Sequence, residues 1–577
     1  MLRSELVQTR YTLMPDENTP PDPEYKSFIQ KIMDEDIKAG LTRIVTRFPP
    51  EPNGYLHIGH AKSIHLNFSL AKMYAGVCHL RFDDTNPSKE SNEFINSLRE
   101  SLSWLGYDPK EHIYYASSYF EKMYEFAEYF IKEGLAYVDS QSIDEIRIQR
   151  GTLTQAGTES VFRTQDIDTN LKNFRNMRNG LFPDGSHVLR LKIDMTSPNI
   201  NMRDPVIYRI KHSTHHKVGN SWCIYPLYDY AHCISDAIEG ITHSLCTLEF
   251  QDHRPLYDWI LAHLKKAGFF SQLPRQIEFS RLNVTHCVTS KRKLQQLVTQ
   301  KIVDGWDDPR LPTLHGLRRR GFTPESIKDF CQRIGITKAN NWVEYSYLEE
   351  CLREQLNRES QRRIAIIDPI RVIITNYPPH IKEEVCHASN HPLVESMGQR
   401  EAFFGRNIFI EKSDFMLNPS PGFFRLSIGK MVRLRYAYII MCDEVMCDEH
   451  GNPVTLLCRY LKDTKSGHGS DVKVKGNIHW LNANHVLPAE VRLYDHLFCA
   501  DQPVDDLENL QINKDSLIVC KGLVERALGS SIQEERFQFE RLGYFVADRH
   551  NHIPNKKLCF NRIVSLKSSK DKRAVST

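Results

Sequence analysis

Residues 46–63 read TRFPPEPNGYLHIGHAKS, a strand end, a tight turn and a helix start in one stretch. Leu41, Ile44 and Val45 lead into it as a short apolar run of strand type. Pro49, Pro50, Pro52, Asn53 and Gly54 break that run. Ala61, Ile64, Phe68 and Ala71 then recur at helical spacing, Gly76 suits a helix end, and Val77–Phe82 reads as a second strand. The pattern is βαβ, with His57, Ile58, Gly59 and His60 opening the helix. A helix start offers unpaired backbone N–H groups and the positive end of the dipole, so it favours phosphate. Gly59 lets a ligand approach the backbone, and two imidazoles one turn apart can donate to charge developing on a phosphoryl group. A metal pair is the competing use of His-x-x-His, but no nearby carboxylate or cysteine completes four ligands. On these residues alone, nucleotide binding and an ordinary surface helix start stand about level.

A second signal lies far downstream, at Val288-Thr289-Ser290-Lys291-Arg292. The two stretches together resemble the HIGH and KMSKS signatures of the class I aminoacyl-tRNA synthetases. The longer string PPEPNGYLHIGHAKS at 49–63, with RFDDTNP at 81–87, is similar to the glutaminyl/glutamyl branch, and within it to the glutaminyl enzymes. The similarity runs from about Phe28 to about Val564. It implies a multidomain chain: a Rossmann-like α/β catalytic domain carrying an α+β insertion, an α-helical connecting domain, and two C-terminal antiparallel β-barrels. The large N-terminal appendix of the eukaryotic enzymes is missing, so the resemblance is to the bacterial type.

Composition fits. A chain of 577 residues with 41% hydrophobic and 25% charged content is that of a soluble protein of several domains. The net charge of +3 means that a nucleic-acid surface must be a local patch. The 14 cysteines form no CxxC pair; Cys442, Cys447 and His450 suggest zinc but lack a fourth ligand, so no structural zinc is expected. No apolar run reaches a membrane span and no signal-peptide core opens the chain. A cytoplasmic protein with reduced thiols is expected, with no membrane partner.

Along the chain, residues 1–24 are proline-rich and polar and read as a flexible extension. The first half of the Rossmann domain is expected at 25–117. It starts with an amphipathic helix around Phe28, Ile29, Ile32, Met33 and Ile37, closed by Gly40. Gly106 and Gly134 close two later helices, and Ser118 with Glu121 suggests a capping box opening the second of these. At 118–227 mixed periodicity marks the insertion, with β-like runs at 186–193 and 205–211. The second Rossmann half follows at 228–285. The KMSKS-type loop and helical domain take 286–358, with Thr323 and Pro324 as a helix start and Arg318, Arg319 and Arg320 as a solvated or phosphate-facing run. From 359 to 564 short alternating strands fill what the resemblance gives as two six-stranded barrels. A basic flexible tail ends the chain at 565–577.

The resemblance also assigns residues. His57, His60 and Lys291 are the catalytic set. Glu51, Pro52, Asn53, His57, Ile58, Gly59, His60, Ala61, Lys62, Ser63, Thr247, Arg281, Leu282, Thr289, Ser290 and Lys291 hold ATP, which brings Mg²⁺ with it. Arg47, Asp83, Tyr228, His232, Cys246 and Gln276 hold L-glutamine, with Asp83 on the α-amino group. Chemistry supports that choice of substrate: a glutamate site wants a cation, and in the glutamyl branch an arginine is expected where Cys246 stands. A neutral thiol with polar neighbours suits an amide that both accepts and donates. For tRNA(Gln), Leu153 matches the apolar wedge that parts the terminal pair, and Pro198 and Asp252 match readers of the first base pairs. Thr337, Lys338, Asn340, Asn341 and Glu344 match the tRNA inner face. Asn357, Arg362, Arg425, Arg435, Gln538 and Arg541 match anticodon readers. Two departures stand out: Thr289 replaces the family's Met, and 418–424 lacks the expected Lys/Gln-rich pattern.

The implied activity is a two-step ligase. Glutamine and ATP give glutaminyl-adenylate and diphosphate, and the tRNA terminal ribose then takes the acyl group, releasing AMP. A monomer is expected by family. The rival readings are a glutamyl-tRNA synthetase and a tRNA-binding protein without catalysis. A third, a small-molecule nucleotidyltransferase, leaves more than 200 β-rich residues without a use.

Overall fold

The computed structural model describes residues 26–88, 91–503 and 511–567. The expected extension at 1–24, and the tail beyond 567, lie outside these.

The strand of the opening motif is Val45–Phe48 and its helix is Ile58–Met73. Gly76 is needed for a reason other than ending that helix: a Cβ there would meet the Ile44 carbonyl oxygen at 2.0 Å, so only glycine lets helix and strand pack this closely. Val45–Phe48 pairs in parallel with Val77–Phe82, which pairs in parallel with Ile113–Tyr115. On its other side lies a second parallel pair, His243–Thr247 with Arg275–Phe279. The Thr242 amide donates to the Val45 carbonyl at 2.9 Å and joins the two sets. The first strand is thus central and its neighbours wind outward in both directions. Ligands bind outside the strand C-termini at such a switch point.

The insertion is a four-stranded antiparallel sheet, Ala136–Asp139, Val188–Leu191, Val206–Ile210 and Ile224–Pro226 in that order. The helix before it differs from its sequence reading. It starts at Phe120 without a side-chain cap, behind a 3-10 turn at Ala116–Tyr119; Ser118 is consumed inside that turn, so no Ser118–Glu121 capping box forms. Gly134 does end the helix, at φ 70.

The connecting helices are Leu314–Arg320, Pro324–Ile334 and Tyr345–Glu359. Thr323 caps the second by accepting from the Ser326 amide. Their apolar faces share one core with Ile58, Ala61 and Ile64 of the opening helix and with Tyr544, Val546 and Ile563 near the chain end. The arginine run that ends the first of them is not a solvated face. Arg319 pairs with Asp548 at 3.1 Å, Arg320 donates to the carbonyls of Ile563 and Tyr494, and Arg318 pairs with Glu534 at 2.6 Å. These guanidiniums bolt the helical domain to the last β-domain.

Among the described residues each β-domain is a sheet of seven strands, not six. Most pairings are antiparallel, and each sheet includes two parallel ones. Both close in the same way. In one, the two edges are Gln361–Arg363 and Ala365–Ile366, separated by Ile364 alone; in the other they are Asn477–Ile478 and Trp480–Asn482, separated by His479 alone. A single strand bends at one residue and supplies both edges.

Candidate active site and tRNA-binding surface

The strand C-termini open into a cleft of about 1300 Å³. His57, His60 and Lys291 all line it, together with Glu51, Asn53, Gly59, Lys62, Ser63, Thr247, Arg281, Leu282, Thr289 and Ser290. Pro52, Ile58 and Ala61 do not; Ile58 and Ala61 turn into the hydrophobic core.

The helix tip differs from its sequence expectation in one respect. Its first amides are already engaged: Ile58 N–H donates to the Pro312 carbonyl, Gly59 N–H to Nδ1 of His57, and the amides of His60 and Ala61 to the His57 carbonyl. His60 Nδ1 in turn accepts from the His57 amide at 3.1 Å. Both Nδ1 atoms are therefore acceptors, which places the proton of each neutral ring on Nε2. The rings lie 3.8 Å apart, centroid to centroid. Burial, reinforced by the neighbouring His60 and Lys291 charges, pushes His57 well below the usual imidazole range, and burial and Lys291 bring His60 down to about 4. Near neutral pH the pair is uncharged and presents two Nε2–H donors. The donors left at the helix tip are these side chains, not the first backbone amides. Gly59 is required for this arrangement, since a Cβ would meet the His57 ring at 2.9 Å.

Lys291 is not in a loop. It is the first residue of the helix Lys291–Thr299. Its aliphatic stem passes over Gly54 in the opening turn, with Cε 2.5 Å from where a Gly54 Cβ would sit. Lys62 is held lower: it is buried and its Nζ donates to the Ser280 carbonyl at 2.8 Å.

The part of the cleft where glutamine is expected is lined by Arg47, Asp83, Tyr228 and Cys246. Arg47 donates to Asp236 through Nε (3.1 Å), to the Leu245 carbonyl through Nη1 (2.6 Å), and to His232 and Ser244 through Nη2 (2.6 and 2.8 Å). One Nη1 hydrogen is left. Arg81 lies behind, against Asp236 at 2.7 Å and Glu239 at 3.2 Å. Two buried cations thus face two buried anions, and these four charges balance beneath the floor. Although burial opposes ionisation, the two guanidiniums and His232 hold Asp236 far below the usual carboxylate range. Cys246 is pushed up to about 12 by burial and stays a neutral thiol. Asp83 is raised to about 7, by burial first and then by the Glu51 charge; Thr85 donates to it at 3.0 Å. His232 and Gln276 are corrections to the expected lining. His232 stacks under Tyr228, and the Gln276 amide donates to the Phe250 carbonyl and to Glu278. Neither faces the cleft. Asp236 and Glu239 had no sequence motif to mark them; Arg81 opens the RFDDTNP string, but the resemblance gives it no role.

The segments carrying Leu153, Pro198 and Asp252, expected at the acceptor end, are tied together. Leu153 is 81% exposed at the tip of a loop after the helix Ile143–Gln149. Buried Arg203 builds that loop: Nη1 donates to the carbonyls of Arg150, Thr152 and Gln155, and Nε reaches the Ser197 carbonyl beside Pro198. The side chains of Asn199 and Asn201 donate to the Asp252 carbonyl. Thr337, Lys338, Asn340, Asn341 and Glu344 are all exposed on the segment before the helix Tyr345–Glu359. Thr337, Asn341 and Glu344 rim a second cavity of about 490 Å³ with Trp342.

Of the remaining set, strand register puts Arg362 opposite Gln538. Asn357 accepts from Arg362 at 2.9 Å and from the Tyr544 hydroxyl at 3.2 Å, and Gln538 donates to the same hydroxyl. Arg435 pairs with Glu540 at 2.6 Å, and Arg425 and Arg541 both pair with Asp414.

Among the described residues one group has metal-ligand spacing, Asp84 with His215 and His216. It is a protein latch. His215 Nε2 meets the Asp84 carbonyl at 2.7 Å while Nδ1 accepts two amides, and the Asp84 carboxylate takes the amide and hydroxyl of Ser117. It ties the insertion to the residue after Asp83.

Models of the class I tRNA synthetases (E and Q) match three segments: the catalytic domain at residues 43–358 and anti-codon binding domains at 360–461 and 477–548. The chain belongs to the class I tRNA synthetases, E and Q family. Members similar to this synthetase include glutamine–tRNA ligases of Nitrosomonas europaea (56% identical over 96% of this chain and 99% of the relative), Clostridium kluyveri (53%, 94% and 97%) and Ralstonia pickettii (52%, 94% and 98%). Its catalytic and anticodon-binding regions follow the order read from the sequence. As a class I synthetase it uses ATP, and no helix among its described residues is long and apolar enough to cross a membrane.

Proposed function

We infer that this synthetase is a glutamine–tRNA ligase: it activates L-glutamine with ATP and transfers it to the 3′ terminal ribose of tRNA(Gln). The observation that carries the reading is a charge-balanced amino-acid pocket next to two neutral imidazoles and a lysine on one cleft. The glutamine carboxylate attacks the α-phosphorus, and the bond to the diphosphate leaving group breaks. The Nε2–H groups of His57 and His60 and the ammonium of Lys291 stabilise the charge that builds on the phosphoryl oxygens. In the second step a ribose hydroxyl, by family analogy the 2′-OH, attacks the acyl carbon and AMP leaves. Little covalent work falls on the protein, which aligns the reactants. Mg²⁺ arrives with ATP as part of the substrate.

Asp83 holds the α-ammonium. The free Nη1 hydrogen of Arg47 and the Tyr228 hydroxyl suit the amide, and Cys246 leaves its end uncharged. A glutamate carboxylate would be buried there without a counter-ion, at a cost of several kcal/mol. The exposed Leu153 loop, with Pro198 and Asp252, grips the acceptor end, and 337–344 meets the inner face of the tRNA. The residues around Arg362 and Arg541 read the anticodon. The division at 25–117, 118–227, 228–285, 286–358 and 359–564 follows this labour. A cytoplasmic monomer completes the reading. Diphosphate release with tRNA(Gln) present, glutamine against glutamate, tests it. Glutamine should turn over at least a hundredfold faster, and faster turnover of glutamate would overturn it.

A further inference from the structure

Asp414 lies at the seam of the two β-domains and is fully buried. It ends the 3-10 turn Lys412–Asp414, behind the strand Asn407–Glu411. Its carboxylate grips Arg541, from the other β-domain, with both oxygens: Oδ2 accepts from Nη1 at 2.5 Å and Oδ1 from Nη2 at 2.6 Å. Oδ1 also faces Nη1 of Arg425 at 3.2 Å, and that nitrogen donates to the Ser413 carbonyl. On the far side of Arg541, Nδ1 of buried His479 lies 3.0 Å from Nη1. Arg541 has φ 67, in the left-handed region that favours glycine, within the turn that joins the strands Arg536–Phe539 and Gly543–Ala547.

The bonds leave a definite remainder. Arg541 commits both Nη1 hydrogens and one Nη2 hydrogen, and Arg425 commits Nη1. Each keeps its Nε–H and an Nη2–H, the two-donor fork that meets paired acceptors on a base edge. Both side chains stay partly exposed, 22% for Arg541 and 45% for Arg425. A free arginine would sample many rotamers. Here one buried carboxylate sets the planes of two forks and the spacing between them, across a domain boundary.

We propose that Asp414 is a specificity-determining positioning residue, which fixes Arg425 and Arg541 as a pair so that two anticodon bases are read together. This rests on the reading that those two arginines face the anticodon. The expected consequence is coupled discrimination: loss of Asp414 relaxes selection at two anticodon positions at once, whereas loss of one arginine relaxes it at one.

The test is aminoacylation by the full chain. Cognate tRNA(Gln) transcript is compared with transcripts altered singly at each anticodon position, for wild type, Asp414→Asn, Asp414→Glu, Arg425→Gln and Arg541→Gln. Asp414→Asn should cut kcat/KM about 30-fold or more for the cognate transcript and for the one altered at the position neither arginine reads, while transcripts altered at the two positions they read lose threefold or less, so that selectivity collapses at those two positions only. Glutamine and ATP KM at saturating tRNA should stay within twofold. Asp414→Glu keeps the charge but moves it by one methylene, and should lose about tenfold in selectivity even if the asparagine variant does not fold. Unchanged selectivity in Asp414→Glu, or a uniform loss for every transcript, overturns the proposal. If neither arginine variant alters selectivity, the anticodon reading itself fails, a result distinct from failure of Asp414 alone.

Discussion

Lys291 crosses directly over Gly54: a Cβ on the glycine would stand 2.5 Å from the lysine Cε and 3.0 Å from its Nζ. Residues far apart in the chain thus meet through the absence of one methyl group. Gly54→Ala should push the ammonium off the triphosphate end of the cleft. Diphosphate formation is expected to slow by about tenfold or more, ~1.4 kcal/mol of transition-state stabilisation, with KM for tRNA unchanged. A rapid-quench measurement of adenylate formation checks it.

The acid limb of the pH profile should belong to Asp83, not to the histidines. Asp83 is raised to about 7 by burial and by Glu51, and His60 is lowered to about 4. Below pH 7 the free site holds the Asp83 proton, and an ammonium cannot pair with a protonated carboxyl. The KM for glutamine should rise about tenfold per unit below pH 7 and level off above it. A flat KM between pH 5.5 and 8 would contradict this.

Asp236 is the buried counter-charge of Arg47 and Arg81 and also accepts from Ser244 and Tyr257 at 2.7 and 2.9 Å. Asp236→Asn leaves two guanidiniums under the pocket with one anion between them. Stability should fall by ~3–5 kcal/mol, read as a lower Tm. In the protein that remains folded, preference for glutamine over glutamate should narrow, because the floor turns positive.

Arg203→Lys keeps the charge but cannot reach the three loop carbonyls held by Nη1 and the Ser197 carbonyl held by Nε at once. The loop around Leu153 should become sensitive to limited proteolysis, and KM for tRNA should rise about tenfold, while KM for ATP and glutamine stays put. Equal proteolysis of variant and wild type would show that the loop keeps its shape without Arg203.

Local chemistry was readable in advance. The turn at 49–54, the helix after it, the Thr323 cap and the placing of His57, His60 and Lys291 on one cleft follow from spacing and from two signatures. What could not be read depends on partners far along the chain. Pro312 takes the Ile58 amide, which removes a donor that a helix start otherwise offers. Asp236 meets Arg47 across 189 positions, and Arg318–Arg320 look like surface until Glu534 and Asp548 are brought to them. His232 and Gln276 have the right chemistry for the pocket but sit one layer behind it, a depth that residue type does not encode. The β-domains read as strands, but their count and their parallel pairings depend on register, which short runs do not specify.

The one-residue corners at Ile364 and His479 also bear on how this chain behaves at high concentration. Where the outermost segments of a sheet are consecutive pieces of a single strand, each is only two or three residues long, a short ladder for another polypeptide to extend. Such short edges limit edge-to-edge association in a crowded cell, and the cost is that neither module can shed its bent outer strand without opening both of its edges at once.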